Sequence, residues 1–273
     1  MPFDTPSPPV VLVGSAVYRP GQEHRVLTRQ EPASPVTLDY KTVGEALNRK
    51  GLRYKDEATL LALMVTQRLL SGLPVRTQDL NDATAVIVSS NFGNIDTVVE
   101  NARIIETRHV DATSAMALPN ASSNAVSATV SIVNQLRGVN LMLCNGEESG
   151  LDGFTLARQL LASRRARQVL LIGVELTNEA VETLFGPAGD KRFHGAAAVL
   201  LGCPEDAGAG ALQLCPADTA ASVPLGRGDT EALTGPASGA EGVLRLVLAA
   251  ERAAAAQGPV ALADGPRLWE LRP

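Results

Sequence analysis

Apolar residues in this chain fall into short unbroken runs separated by stretches of helical periodicity. The runs are Val10–Gly14, Thr84–Ser89, Leu141–Cys144, Val169–Val174 and His194–Gly202. Runs of this length with no polar alternation predict strands buried on both faces. Between them, Lys41–Lys50 predicts a short helix. Asp56 stands where an N-cap would begin a helix over Glu57–Leu70, whose apolar residues lie on most faces and predict burial. Further helices are expected near 95–107, 120–136 and 148–163, the last with Leu151, Phe154, Leu160 and Leu161 on one broad side. Residues 20–40 are polar and contain proline, which predicts a surface loop, and Asn91–Asn94 predicts another. Strands alternating with helices predict a mainly parallel sheet covered on both faces.

The pattern thins after Cys203. Residues 203–230 are rich in Gly, Pro, Asp and Ala and predict one strand in irregular chain. An Ala-rich helix is expected over 240–256, with Glu241 and Arg245 spaced to pair. Val260–Ala263 and Leu268–Leu271 predict a hairpin around Asp264-Gly265. Composition bounds the function. The 273 residues are 45% hydrophobic and 19% charged, a soluble globular balance, and the net charge of −5 argues against nucleic acid as a partner. Aromatic residues make up only 3%, and the abundant small residues suit close backbone approach in layered α/β folds and large dimer interfaces. No apolar run reaches membrane-spanning length and Met1–Thr5 carries no basic segment, so the expected compartment is the cytoplasm. Cys144, Cys203 and Cys215 are spaced for neither a disulfide framework nor a zinc site, and Cys144 and Cys203 are expected in the core.

The candidate chemistry lies in Gly138–Asp152. Strand, sharp turn and helix follow each other there, an elbow that presents a side chain at a helix N-terminus, where free N–H groups and the dipole favour negative charge. Cys or Ser at such an apex would be a nucleophile, but this chain carries Glu147. Three readings stand open. Glu147 is a polar plug bonded to elbow N–H groups, or it is a general base or the site of a cationic group, or it is an exposed side chain with no role. Glu148 suits a solvated first turn or an interface contact.

Gly138-Val-Asn-Leu-Met-Leu-Cys-Asn-Gly-Glu-Glu-Ser-Gly-Leu151 resembles the β-ketoacyl synthase pattern G-P-x-L-x-V-x-T-A-C-A-S-G-L, with Glu147 at the cysteine. Arg53–Asp56, Pro119–Asn124 leading into Val130–Ile132, Val169–Glu175 and Gly195–Ala198 also match. Gly235-Pro-Ala-Ser-Gly-Ala-Glu-Gly242 is similar to the family's G-H-x-x-G-A-A-G, with Pro236 at the histidine and Glu231 at the lysine position five residues earlier. Gly228–Glu231 remotely matches the G-D-x-x-E motif without a preceding histidine, and His24, His109 and His194 fall outside the motifs.

The resemblance implies a thiolase-like layered α/β/α/β/α fold, with a complete N-terminal half (1–203) and a truncated C-terminal half (204–273). It implies no cofactor, no metal and no independent condensing activity. A carboxylate is a poor acyl acceptor, and its charge would repel a malonyl carboxylate. The class it resembles is the chain-length factor of type II polyketide synthases, of polyene type, which pairs with an active ketosynthase in a heterodimer. Acyl carrier protein would meet this chain through that complex. A repurposed decarboxylase, hydrolase or cyclase using Glu147 as acid or base is the alternative, and a homodimeric binder of acyl chains or carrier protein is a third reading. Tunnel or interface roles then fall to His109, Met116, Leu118, Asn124, Cys144 and Glu148, although residues like Met116 and Leu118 are more often ordinary core. Asn120 and Asn124 are expected to satisfy turn and helix-start groups, and His194 to be a turn residue. Arg164, Arg165 and Arg167 read as a solvated helix end or a carrier-protein contact.

Overall fold

The computed structural model describes residues 9–22, 27, 37–73, 82–186, 192–206, 211–217, 223–256, 258–264 and 267–272. The chain runs β1 (Val10–Tyr18), α1 (Tyr40–Ala46), α2 (Glu57–Ser71), β2 (Thr84–Ser89), α3 (Ile95–Arg108), α4 (Ala125–Asn134), β3 (Asn140–Leu143) and α5 (Ser149–Ala162). It continues β4 (Gln168–Glu175), α6 (Glu179–Phe185), β5 (Gly195–Gly202), β6 (Leu212–Ala217), α7 (Arg227–Thr234), α8 (Glu241–Ala256), β7 (Val260–Asp264) and β8 (Arg267–Arg272). The expected strands and the principal helices are present. Asp56 does cap α2, accepting from the Thr59 N–H at 2.7 Å. The segment 120–136 is not one helix. A 3-10 turn at Leu118–Ala121 precedes α4, which ends where Gln135 takes a left-handed conformation at φ 57°. The short polar helices α6 and α7 lay beyond the hydrophobic pattern. Most of the loop expected over 20–40, His24 included, falls outside the described residues.

The strands form one eight-stranded sheet in the order β3-β2-β4-β5-β1-β6-β8-β7. The expectation of a mainly parallel sheet is corrected: β2 runs parallel to β3 and β4, and the other five pairings among the described residues are antiparallel. The mixture follows from connections that return the chain to β1 from both sides, with β5 and β6 each antiparallel to it.

Side chains alternate between two cores, as strand geometry requires. Ile87, Leu171 and Val199 face Phe154 of α5 and Leu244 and Val247 of α8. Val88, Ile172 and Leu200 face Leu61, Val65 and Leu69 of α2 and Val130 of α4. With helices on both faces, an unbroken apolar strand is fully buried, which accounts for the runs in the sequence. Phe154 also meets Trp269 of the terminal hairpin edge to face at 5.5 Å.

Two motif glycines bring α5 and α8 together. A Cβ built on Gly242 would stand 2.4 Å from the Leu151 nitrogen, and one on Gly150 2.8 Å from the Gly242 nitrogen. The sheet edges differ. At β7, the Leu225 N–H donates to the Ala261 carbonyl at 2.9 Å, an isolated bridge on that edge. At β3, no strand among the described residues pairs with the outer side. No helix among them is long and apolar enough to cross a membrane.

Candidate functional site

The elbow stands at the carboxyl end of β3. Gly146 turns the chain with φ 65°, a left-handed conformation suited to glycine. Ser149, the first residue of α5, closes the turn: its Oγ accepts from the Asn145 N–H at 2.6 Å and donates to the Gly146 carbonyl at 2.7 Å. The Asn145 side-chain amide donates to Asp152 at 2.7 Å. Residues 144–148 are all exposed, so the core position expected for Cys144 is corrected. The elbow follows β3, the edge strand of the sheet.

Glu147 faces Arg227, the first residue of α7, in an ion pair spanning 80 positions of sequence. Arg227 also bonds Glu231 one turn along its helix, and these two carboxylates hold its guanidinium above the ordinary arginine range, Glu231 first. The partner of the apex carboxylate is therefore a guanidinium of the same chain, not the elbow N–H groups. Glu231, at the family's lysine position, belongs to the same cluster. The Phe193 N–H donates to the Pro236 carbonyl at 2.9 Å, which makes the family's histidine position a strut of backbone. The Gly228–Glu231 match serves folding: Asp229 accepts from the Gly226 N–H at 3.0 Å and caps α7. Among the described residues no cluster of His, Cys, Asp and Glu could hold a metal ion.

Behind the elbow lies a residue that the motif reading passed over. Glu175, the last residue of β4, is 2% exposed. Its carboxylate accepts from the N–H groups of Asn91 (2.6 Å), Gly239 (2.9 Å) and Phe92 (3.2 Å) and from the Ser90 hydroxyl (3.3 Å). Burial pushes its pKa up to about 7 against the pull of these donors. Gly239 belongs to the second motif, and a Cβ there would stand 2.8 Å from Glu175 Oε1. The one signal in the sequence was an acid closing an otherwise apolar strand.

Asn91 passes the arrangement forward. Its Oδ1 accepts from the Gly146 N–H at 3.1 Å, and its carbonyl receives the Cys144 thiol at 3.8 Å. Phe92 and Asn94 then start α3, whose only buried residue is Asn101. The Asn94 amide donates to the Asn120 carbonyl at 2.9 Å, and Asn120 itself binds the Tyr54 carbonyl (2.8 Å) and Lys55 (3.0 Å). Asn120 satisfies backbone groups as expected. Asn124 does not: its Oδ1 accepts from the Ser122 hydroxyl at 2.6 Å.

The remaining candidates are spread over the molecule. Met116 is 66% exposed and Leu118 45%, which excludes them from the core of this chain. Val98, Ile105, Val110 and Ile132 add to the exposed apolar surface. His109 is exposed and ends α3 with φ 66°, while Glu148 is the exposed N-cap of α5. His194 is buried: its Nδ1 accepts from the Thr177 N–H at 3.1 Å, and its Nε2 lies 3.3 Å from Glu57. It ties the start of β5 to α2, a larger role than that of a turn residue. Arg164, Arg165 and Arg167 are exposed, with Arg164 3.5 Å from Glu205.

Known structures share this fold. The ishigamide ketosynthase/chain length factor aligns over 96% of this chain and 98% of that one with a TM-score of 0.66 at 16% identity. A type II PKS acyl-carrier protein complex with its ketosynthase bound to the hexaketide (AntDE:AntF) aligns over 97% and 98%, at 0.69 and 12% identity. The ketosynthase ApeO with its chain length factor ApeC from Xenorhabdus doucetiae aligns over 96% and 99%, at 0.57 and 15% identity. At these identities the likeness establishes the fold. No curated protein matches the chain. A family model described as the β-ketoacyl synthase N-terminal domain matches residues 34–188, more than half of the chain, and the protein therefore belongs to the β-ketoacyl synthase family.

Proposed function

We propose that this chain is a non-condensing, chain-length-factor-type subunit that pairs with an active ketosynthase and shapes the acyl or polyene tunnel of the pair. The observation that carries the reading is the Glu147–Arg227 ion pair at the elbow apex. A carboxylate is a weak nucleophile and a poor acyl acceptor, and this one is already engaged by a guanidinium of its own chain. Glu231 and Pro236 supply none of the electrophilic help that the decarboxylation step needs.

The surface supports a partner role. Among the described residues β3 has an unpaired strand edge, and Met116, Leu118, Val98 and Ile105 are exposed, features that a lone soluble chain ordinarily covers. Solved complexes with this fold include ketosynthase/chain length factor pairs and one carrying an acyl-carrier protein. The partner would bring the cysteine and both histidines. This chain would bring Met116, Leu118, His109 and Asn124 toward the tunnel or interface, with Cys144 and Glu148 at the elbow. We read residues 1–203 as the complete ketosynthase-like half and 204–273 as the shortened one. The same ion pair opposes the alternative of Glu147 as acid or base.

Co-purification with the neighbouring ketosynthase tests the proposal. The expected result is a one-to-one complex whose product length changes when Met116 or Leu118 is replaced. A chain that stays monomeric beside the synthase and leaves its products unchanged refutes it.

A further inference from the structure

Glu175 has no part in the chemistry considered above, yet every segment of the elbow face leads back to it. Its two oxygens receive four donors from two separate turns, residues 90–92 and the 3-10 turn Ser238–Ala240. From the first turn two paths run outward. One goes through Asn91 Oδ1 to the Gly146 N–H at the elbow. The other goes through the Phe92 carbonyl, which accepts from the Ile95 N–H at 3.0 Å, into α3, and from Asn94 to Asn120 beside Met116 and Leu118. Asn91 is thus bound on both sides: its N–H reaches the buried carboxylate and its side-chain oxygen the exposed elbow.

We propose that Glu175 is the positioning residue of the elbow face, setting the elbow and the start of α3 from within the core without itself reaching the surface. This deepens the docking role proposed above and rests on it only for its consequence in assembly. A carboxyl group suits the task because its two oxygens take several donors at once. Glutamine in its place keeps the size but offers a single acceptor oxygen and an NH2 aimed at backbone N–H groups.

The test is amide hydrogen exchange on the full chain, comparing wild type, Glu175→Gln, Asn91→Ala and the double variant. Loss of a hydrogen bond to a buried carboxyl group corresponds to roughly a tenfold change in an opening equilibrium. Glu175→Gln is expected to speed exchange by at least about tenfold at Asn91, Phe92 and Gly239 and also at Gly146, which it does not touch. Asn91→Ala is expected to speed exchange at Gly146 while Phe92 and Gly239 stay protected. In the Asn91→Ala background, Glu175→Gln should then add nothing at Gly146, a coupling that general loosening would not produce. Unchanged exchange at Gly146 in Asn91→Ala overturns the proposal, even if the Glu175 variant fails to fold. So does an additive effect in the double variant. Binding to the neighbouring ketosynthase is measured separately: if the wild-type chain does not bind, the docking role fails while the exchange result still judges Glu175.

Discussion

The crossing of α5 and α8 offers a sharp quantitative test, because two glycines from two different motifs meet there. Replacing Gly242 with alanine places a Cβ 2.4 Å from the Leu151 nitrogen, 2.7 Å from the Gly150 carbonyl carbon and 2.9 Å from Leu151 Cγ. Comfortable separation for such atoms is about 3.5 Å, so the helices must part by about 1 Å. Neither has slack. Leu151 and Phe154 anchor α5, and Val243, Leu244 and Val247 anchor α8, all of them 3% exposed or less. Overpacking of this kind costs about 1–3 kcal/mol, and backbone obstruction puts the cost at the upper end. Alanine returns up to about 1 kcal/mol of helix propensity, less in a first turn, leaving a net loss of about 2 kcal/mol. For a chain of this size that lowers Tm by about 4–8 °C. Gly228, inside α7 with nothing within 4 Å of its Cβ position, is the control, and Gly228→Ala should leave Tm unchanged or raise it slightly. Thermal unfolding followed by circular dichroism, with urea titration alongside, reads both variants. A Gly242→Ala chain that melts at or above wild type would falsify the packing argument.

Stability should also depend on pH through Glu175. Its pKa rises from 4.5 unfolded to about 7 folded, so its contribution is full below the unfolded value and is lost as pH rises through the folded one. Urea unfolding should show about 2 kcal/mol lost between about pH 5.5 and about pH 8, and Glu175→Gln should flatten that slope. A wild-type chain as stable at the higher pH contradicts the assignment. The Glu147–Arg227 pair is 47% and 45% exposed, so Arg227→Ala should change unfolding free energy by under about 1 kcal/mol despite its place at the apex. A larger loss in a denaturant titration argues for a structural plug. Met116→Asp with Leu118→Asp should leave the Tm of the isolated chain within about 2 °C, since exposed positions contribute little, while abolishing association with the synthase in analytical ultracentrifugation. Asp56→Ala should cost about 1 kcal/mol by removing the α2 cap, read by thermal melting.

Much of the fold was legible because local chemistry wrote it. Unbroken apolar runs marked β2, β4 and β5, Asp56 marked the start of α2, and Glu241 and Arg245 do meet, at 3.2 Å. The hairpin of β7 and β8 followed from two short apolar stretches, and Asp264 pairs with Arg267 across it. Strand direction was not legible, since an apolar run reads the same whichever way its neighbour points. The helices α6 and α7 are short and polar, and their place comes from tertiary contacts such as Asp229 with Gly226 and Arg252. The elbow was recognisable from Gly138–Asp152, but the guanidinium that faces Glu147 sits 80 residues away in a stretch that looked irregular. Cys144 sat in an apolar run and was misread for that reason. The run ends at the edge strand, and Cys144 just beyond it is exposed. The motif glycines persist without the motif chemistry because Gly239 admits the Glu175 carboxylate and Gly242 admits α5.

The two ends of the sheet have an architectural consequence. A ladder of strands lengthens only where a row of backbone donors and acceptors is left open, and here Leu225 bridges one end while no described strand pairs with the outer side of β3. A molecule of like fold that joined through its own β3 would leave a β7 strand at both ends of the joined sheet, so this mode of pairing is used up once two chains have met.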